Sequence, residues 1–177
     1  LLEVIADHLI PSDDSGPGAL DAKAVRYIDR ALAGALSDSL EAYRAGLAAF
    51  QRYCRSSRGG DFMELPHNDR ISALIDVETG AATGAGAGFV GSSAAFFSMV
   101  RAHVLQGTFG DPYYGGNENF VGWDLIGYPG VRTAVTENDQ QRLEAGELRP
   151  YRRSAYGWEE FEKATVRAAR KGLHHAD

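Results

Sequence analysis

The sequence predicts a mainly α, single-domain helical fold with one long ordered loop rich in glycine and aromatic residues. Three observations predict it. Apolar residues recur at spacings of three and four along most of the chain, which puts them on one face of a helix. No stretch alternates apolar and polar residues with the period of two expected of a half-buried strand. One segment, FGDPYYGGNENFVGWDLIGYPG at 109–130, is dense in glycine and aromatics yet has no helical period.

The first helix is expected from Leu2, Ile5 and Leu9, with Pro11 stopping the run. SDDSGPGALD is turn chemistry, and Asp21 at its end is the expected N-cap of the second helix, whose stripe is Val25, Ile28, Leu32 and Leu36. Leu40, Tyr43, Leu47, Phe50 and Cys54 form the most regular stripe, on a third helix. As its last member, Cys54 reads as a core residue rather than a reactive thiol. Pro66 is expected to start a fourth helix carrying Ile71, Leu74 and Ile75, broken by GAATGAGAG. Phe96, Phe97, Val100 and Val104 give a fifth, with Ser92 or Ser93 as cap and Gly107 as its end. Beyond the glycine and aromatic segment, Thr136 opens a short helix closing near Gly146, and a last helix is expected through Trp158, Phe161 and Thr165.

At 177 residues and 44% hydrophobic, the chain suits one domain over 1–177, burying roughly 70% of the surface its unfolded form exposes. A formal net charge of -6 argues against a general footprint for nucleic acid. The basic run Arg149, Arg152 and Arg153 reads as a solvated turn as well as a ligand site. No apolar run approaches the roughly 20 residues of a membrane span, so the chain reads as soluble. It begins at Leu1, and the lack of a targeting segment says nothing about compartment. With Cys54 as its single cysteine, the chain cannot form an intramolecular disulfide or a Cys-only metal or iron-sulfur site.

Other motifs have plainer readings. Gly86, Gly88 and Gly91 match the dinucleotide fingerprint G-x-G-x-x-G, but no apolar strand leads into them, so a flexible linker is the better account. Asp111, Asn117, Glu118, Asn119 and Asp124 offer oxygens for calcium at spacings that fit no EF-hand, and bracing of the loop is the competing role. Of His8, His67, His103, His174 and His175, none pairs with another at metal spacing on a shared face. His103 lies one turn before the loop, where an imidazole near helix-terminal carbonyls is the plain reading and catalysis with Asp111 the alternative.

The segment 109–130 is built to hold one shape. Gly110, Gly115, Gly116, Gly122, Gly127 and Gly130 allow tight turns and close approaches, while Pro112 and Pro129 set φ on either side. Aromatics on such a scaffold offer large contact area at low entropic cost, which suits a binding surface. Two alternatives stay open: the segment caps the chain's own core, or Trp123, Tyr113, Tyr114 and the amides face a sugar or calcium ligand.

GTFGDPYYGGNENFVGWDLIGYPG resembles the signature of the gluconate 2-dehydrogenase small-subunit (subunit 3) family. The similarity extends through IPSDDSGPGALDAKAVRYIDRALAG and RAHVLQGTFGDP, and so from Leu1 to about Gly130. The resemblance implies a non-catalytic accessory subunit with no catalytic, cofactor or metal residues of its own. Its implied partner is a large flavoprotein of the glucose-methanol-choline type, which carries FAD and oxidises a sugar or sugar acid. Gluconate, glucose, fructose and the 3-position of glucosides are the candidate substrates, with a cytochrome c as electron acceptor. It also implies export with the flavoprotein through a twin-arginine signal, absent from this sequence, and a periplasmic location. The residues that would shape or form the partner contact are Asp111, Pro112, Tyr114, Gly115, Gly116, Asn117, Trp123, Gly127, Tyr128, Pro129 and Gly130. If the Trp123 indole were the anchor, Trp123→Ala would weaken association by on the order of 2 kcal/mol.

Overall fold

A computed structural model describes residues 1–83, 88–132, 134–148 and 150–157. Gly86, Arg149, the expected last helix through Trp158, Phe161 and Thr165, and His174 and His175 lie outside the described residues. Within them the chain is helical: α1 (Leu2–Leu9), α2 (Ala24–Leu32), α3 (Leu40–Arg58), α4 (His67–Glu78), α5 (Ser93–Phe109), α6 (Val121–Leu125) and α7 (Glu137–Glu144), joined by short 3-10 turns. Among the described residues no strand forms, and one isolated bridge joins Asp13 and Gly16.

Helix α5 is the hub, packing against α1, α2, α3, α4 and α6. Its expected stripe of Phe96, Phe97, Val100 and Val104 is buried, and the Ser92 hydroxyl caps its start by accepting the Ala95 amide. Tyr43, Phe50 and Cys54 of α3 are buried as their period predicts. Burial pushes the Cys54 thiol up to about 11, which suits a core residue. Phe62, in the turn before α4, fills the space between Phe50 and His8, with ring centroids 4.8 and 5.8 Å away. Each fully buried large side chain contributes about 1.5–3 kcal/mol, so α1 to α5, with Trp123 of α6, carry the stability. By contrast, α7 buries none of its residues.

Helices α3 and α5 approach closely because Gly46 has no side chain: a Cβ there would come 2.1 Å from the Phe96 ring. Asp76 of α4 ties this layer to α3. Its carboxylate accepts from the Tyr53 hydroxyl and the Arg58 guanidinium, and these hydrogen bonds, Tyr53 first, hold it below the usual carboxylate range.

Four expectations change. Asp21 does not cap α2; Lys23, in the left-handed region at φ 56°, precedes the helix, and Asp21 accepts the Gly18 amide to brace the preceding turn. Leu36 falls beyond α2, which stops at Leu32. On α4 the face turned inward is Ala73, Leu74 and Val77, leaving Ile71 and Ile75 exposed, because packing on α5 selects the face and several apolar residues qualified. Gly107 does not end α5, which runs two residues further to a Gly110 cap; Gly107 is a buried contact point instead.

Candidate functional site

The last carbonyls of a helix need partners from outside it, and residues 109–130 supply those of α5. The Gly107 carbonyl accepts the Asn117 amide at 2.7 Å, and the Phe109 carbonyl accepts the Trp123 indole N–H at 2.9 Å. The Gly110 carbonyl accepts Asn117 Nδ2 at 2.8 Å, while Asn117 Oδ1 accepts the Gly122 amide at 2.8 Å. Asn117 is completely buried with φ 43°, and Asn119 and Phe120 are also left-handed. Asn tolerates that region because its short amide hydrogen-bonds locally. The segment is thus a fitted cap on α5, made of two 3-10 turns, Pro112–Tyr114 and Glu118–Phe120, followed by α6.

Three glycines make the fit possible by absence of a side chain. A Cβ on Gly116 would stand 2.0 Å from the Gly107 carbonyl oxygen, one on Gly122 2.0 Å from that of Thr108, and one on Gly107 2.7 Å from that of Ala24. Backbone therefore lies directly on backbone along α2, α5 and the segment.

The eleven residues implied by the resemblance divide by position. Gly115, Gly116, Asn117, Trp123 and Gly130 are buried and brace the segment; Tyr114, Gly127 and Tyr128 are exposed, and Asp111, Pro112 and Pro129 are half-buried. Trp123 does not present its indole: it is 5% exposed, with Tyr128 edge-on at 4.9 Å and Phe120 at 5.3 Å. What stands outward is Tyr113, Tyr114, Ile126 and Tyr128. Phe109, Tyr114, Trp123, Ile126, Tyr128 and Tyr156 line most of an open cleft of about 610 Å³.

Of the acids and amides, Asp111, Asn117, Glu118 and Asp124 are engaged in bracing, while Asn119 is exposed. Asp111 accepts the Tyr113 amide and, at 2.7 Å, the Ala155 amide; Glu118 pairs with Arg26 at 2.8 Å; Asp124 pairs with Arg152 at 2.6 Å. Arg26 also donates to the Gly115 carbonyl, which fastens the segment to α2. Arg152, from the basic run, is thus an intramolecular partner. Among the described residues no group of three or more His, Cys, Asp or Glu is arranged to hold a metal.

His103 does not join Asp111. It is buried, its Nδ1 lies 3.0 Å from the Tyr43 hydroxyl, and the two rings stack at 5.8 Å. Burial lowers its pKa and raises that of Tyr43, so His103 is a neutral core residue. His8 and His67 do meet, with ring centroids 5.3 Å apart, because the end of α1 packs beside the start of α4. His8 donates from Nδ1 to the Val4 carbonyl and buries Nε2 without a partner.

The sequence reading missed Ile126, Ala155 and Tyr156. Tyr156 stacks on Tyr113 at 4.2 Å and its hydroxyl bonds that of Tyr114, which pushes the Tyr114 phenol up to about 12. Nothing local marks Tyr156, since its partners lie about forty residues earlier in the chain. A second apolar groove, of about 510 Å³, lies between α3 and α5 beside Phe89 and Phe96.

No curated protein and no solved structure matches the chain. The sequence model of the family described as gluconate 2-dehydrogenase subunit 3 matches residues 1–130, from α1 through the cap on α5, which is most of the chain and, among the described residues, all of the buried core cluster. The chain belongs to the gluconate 2-dehydrogenase subunit 3 family, a family of dehydrogenase subunits, which implies a dehydrogenase catalytic partner.

Proposed function

We propose that the chain is the non-catalytic small subunit of a periplasmic FAD-dependent dehydrogenase of the glucose-methanol-choline type, which it stabilises and accompanies in export. One observation carries the reading: the family's glycine and aromatic segment is braced inward through Asn117 and Trp123, so that Tyr113, Tyr114, Ile126 and Tyr128 are held outward on a rigid base. Aromatic and apolar residues fixed in this way are the usual anchors of protein interfaces. In this reading FAD belongs to the partner, the substrate is a sugar or sugar acid such as gluconate or a glucoside oxidised at its 3-position, and a cytochrome c takes the electrons.

Gentle affinity purification of the chain from its native host, tagged at the C-terminus, followed by an absorbance spectrum and mass spectrometry, tests the reading. A stoichiometric yellow partner with a flavin spectrum is expected. A colourless chain that elutes alone overturns it, and cell fractionation tests the periplasmic location separately.

A further inference from the structure

The end of α1 and the start of α4 bring two imidazoles together, away from the cap on α5. The ring centroids of His8 and His67 lie 5.3 Å apart, with the ring planes at 35°. His8 donates from Nδ1 to the Val4 carbonyl at 2.8 Å, which leaves the lone pair of the ring on Nε2. That nitrogen is buried and has no hydrogen-bond partner. A buried acceptor left unpaired has lost its water without compensation, and a bound ion restores what it lacks.

We propose that His8 Nε2 and a ring nitrogen of His67 are two ligands of a late first-row divalent cation such as zinc, which ties the end of α1 to the start of α4. The separation of the rings suits it. Two imidazoles bonded tetrahedrally to zinc at about 2.0–2.1 Å have their centroids roughly 5 Å apart, close to the spacing of this pair. The hydrogen bond of His8 suits it too, because a ligating histidine ordinarily donates its other ring N–H to a carbonyl or carboxylate, which fixes the tautomer and the ring orientation. His67 is exposed at the first position of α4, so its ring can turn a nitrogen toward His8. Neutral imidazole selects zinc, nickel or copper over calcium and magnesium, which take oxygen ligands. Among the described residues no third His, Cys, Asp or Glu completes the set, so water fills the remaining positions and a chelator removes the ion. Helix α1 packs chiefly on α2 and α5, and the ion adds a tie to α4. The inference stands apart from the accessory-subunit reading.

Calorimetric titration of the untagged chain with zinc chloride tests it. The background carries His174→Gln and His175→Gln, so that the two adjacent histidines near the C-terminus cannot chelate. One zinc per chain is expected, with a melting midpoint that rises with zinc and returns on adding EDTA. Cobalt in place of zinc should give a visible d–d band, the mark of direct coordination, and magnesium or calcium should give no heat. His67→Ala, at an exposed position, and His8→Gln should each weaken zinc binding by at least about tenfold, since loss of even an outer-shell partner costs about 10–100-fold. Circular dichroism of metal-free His67→Ala that matches wild type shows that the variant folds. Zinc binding that His67→Ala leaves unchanged overturns the site, as does the absence of heat in the His174→Gln and His175→Gln background.

Discussion

Asn117→Ala removes the residue that joins the segment 109–130 to the end of α5, and its cost can be worked from two lost hydrogen bonds and one strained backbone position. The Gly122 amide, in a buried residue, loses its acceptor Oδ1, which costs about 1–3 kcal/mol. The Gly110 carbonyl loses the Nδ2 donor but is half-buried and regains some hydration, for about 1 kcal/mol. Alanine at φ 43° adds about 1–2 kcal/mol of left-handed strain that asparagine relieves by local hydrogen bonding. The expected loss is about 3–6 kcal/mol of a total stability of about 5–15 kcal/mol. Asn117→Gly loses the same two hydrogen bonds but avoids the strain, so it should be less harmful than Asn117→Ala by about 1–2 kcal/mol. Urea unfolding followed by tryptophan fluorescence and by circular dichroism measures both variants. A loss below about 1 kcal/mol for Asn117→Ala with native fluorescence would refute this reasoning, since water would then be satisfying the enclosed Gly122 amide.

Three further outcomes are expected. Trp123→Ala should lower unfolding free energy by about 3–5 kcal/mol, whereas Tyr128→Ala should leave the fold nearly intact and weaken partner association by about 1–2 kcal/mol; the opposite pattern in titrations of the purified subunits would make Trp123 the anchor. Burial lowers the His103 pKa from 6.5, so the unfolded chain binds its proton more readily. The stability linked to His103 is therefore complete above about pH 6.5 and is lost as pH falls from there through the folded-state pKa. Melting curves of His103→Gln should show a smaller drop on that acid side than wild type, and an equal drop would remove His103 as a source of it. Thr136→Ala breaks the capping box with Asp139 and costs α7 about 1 kcal/mol. Because α7 buries nothing, hydrogen exchange in α7 should rise while the global midpoint stays in place; a lower midpoint would mean that α7 is coupled to the core.

Much of the fold was legible because a helix writes its buried face into the sequence at a fixed period. Phe96, Phe97, Val100 and Val104 on α5, and Tyr43, Phe50 and Cys54 on α3, are buried as their spacing predicts. The Ser92 and Thr136 caps were legible too, because a cap is a local hydrogen bond within four residues. Where the period is ambiguous, the sequence does not choose the buried face. Ile71 and Ile75 fit a stripe as well as Ala73 and Val77 do, and only the neighbouring α5 chose between them.

At the candidate site, the glycine and aromatic composition of residues 109–130 and their likeness to one family were written in the sequence itself, as was the expectation of a rigid segment. Which residues brace and which face outward was decided by tertiary structure. Asn117 and Trp123 turn inward because the C-terminal carbonyls of α5 need donors, and those carbonyls lie seven to fourteen residues away in the chain. Tyr156 and Arg152 reach the segment across 42 and 28 residues. No local pattern encodes such contacts, since they depend on where the backbone brings distant groups together, and glycines such as Gly107 and Gly116 reveal their purpose only once another backbone lies against them.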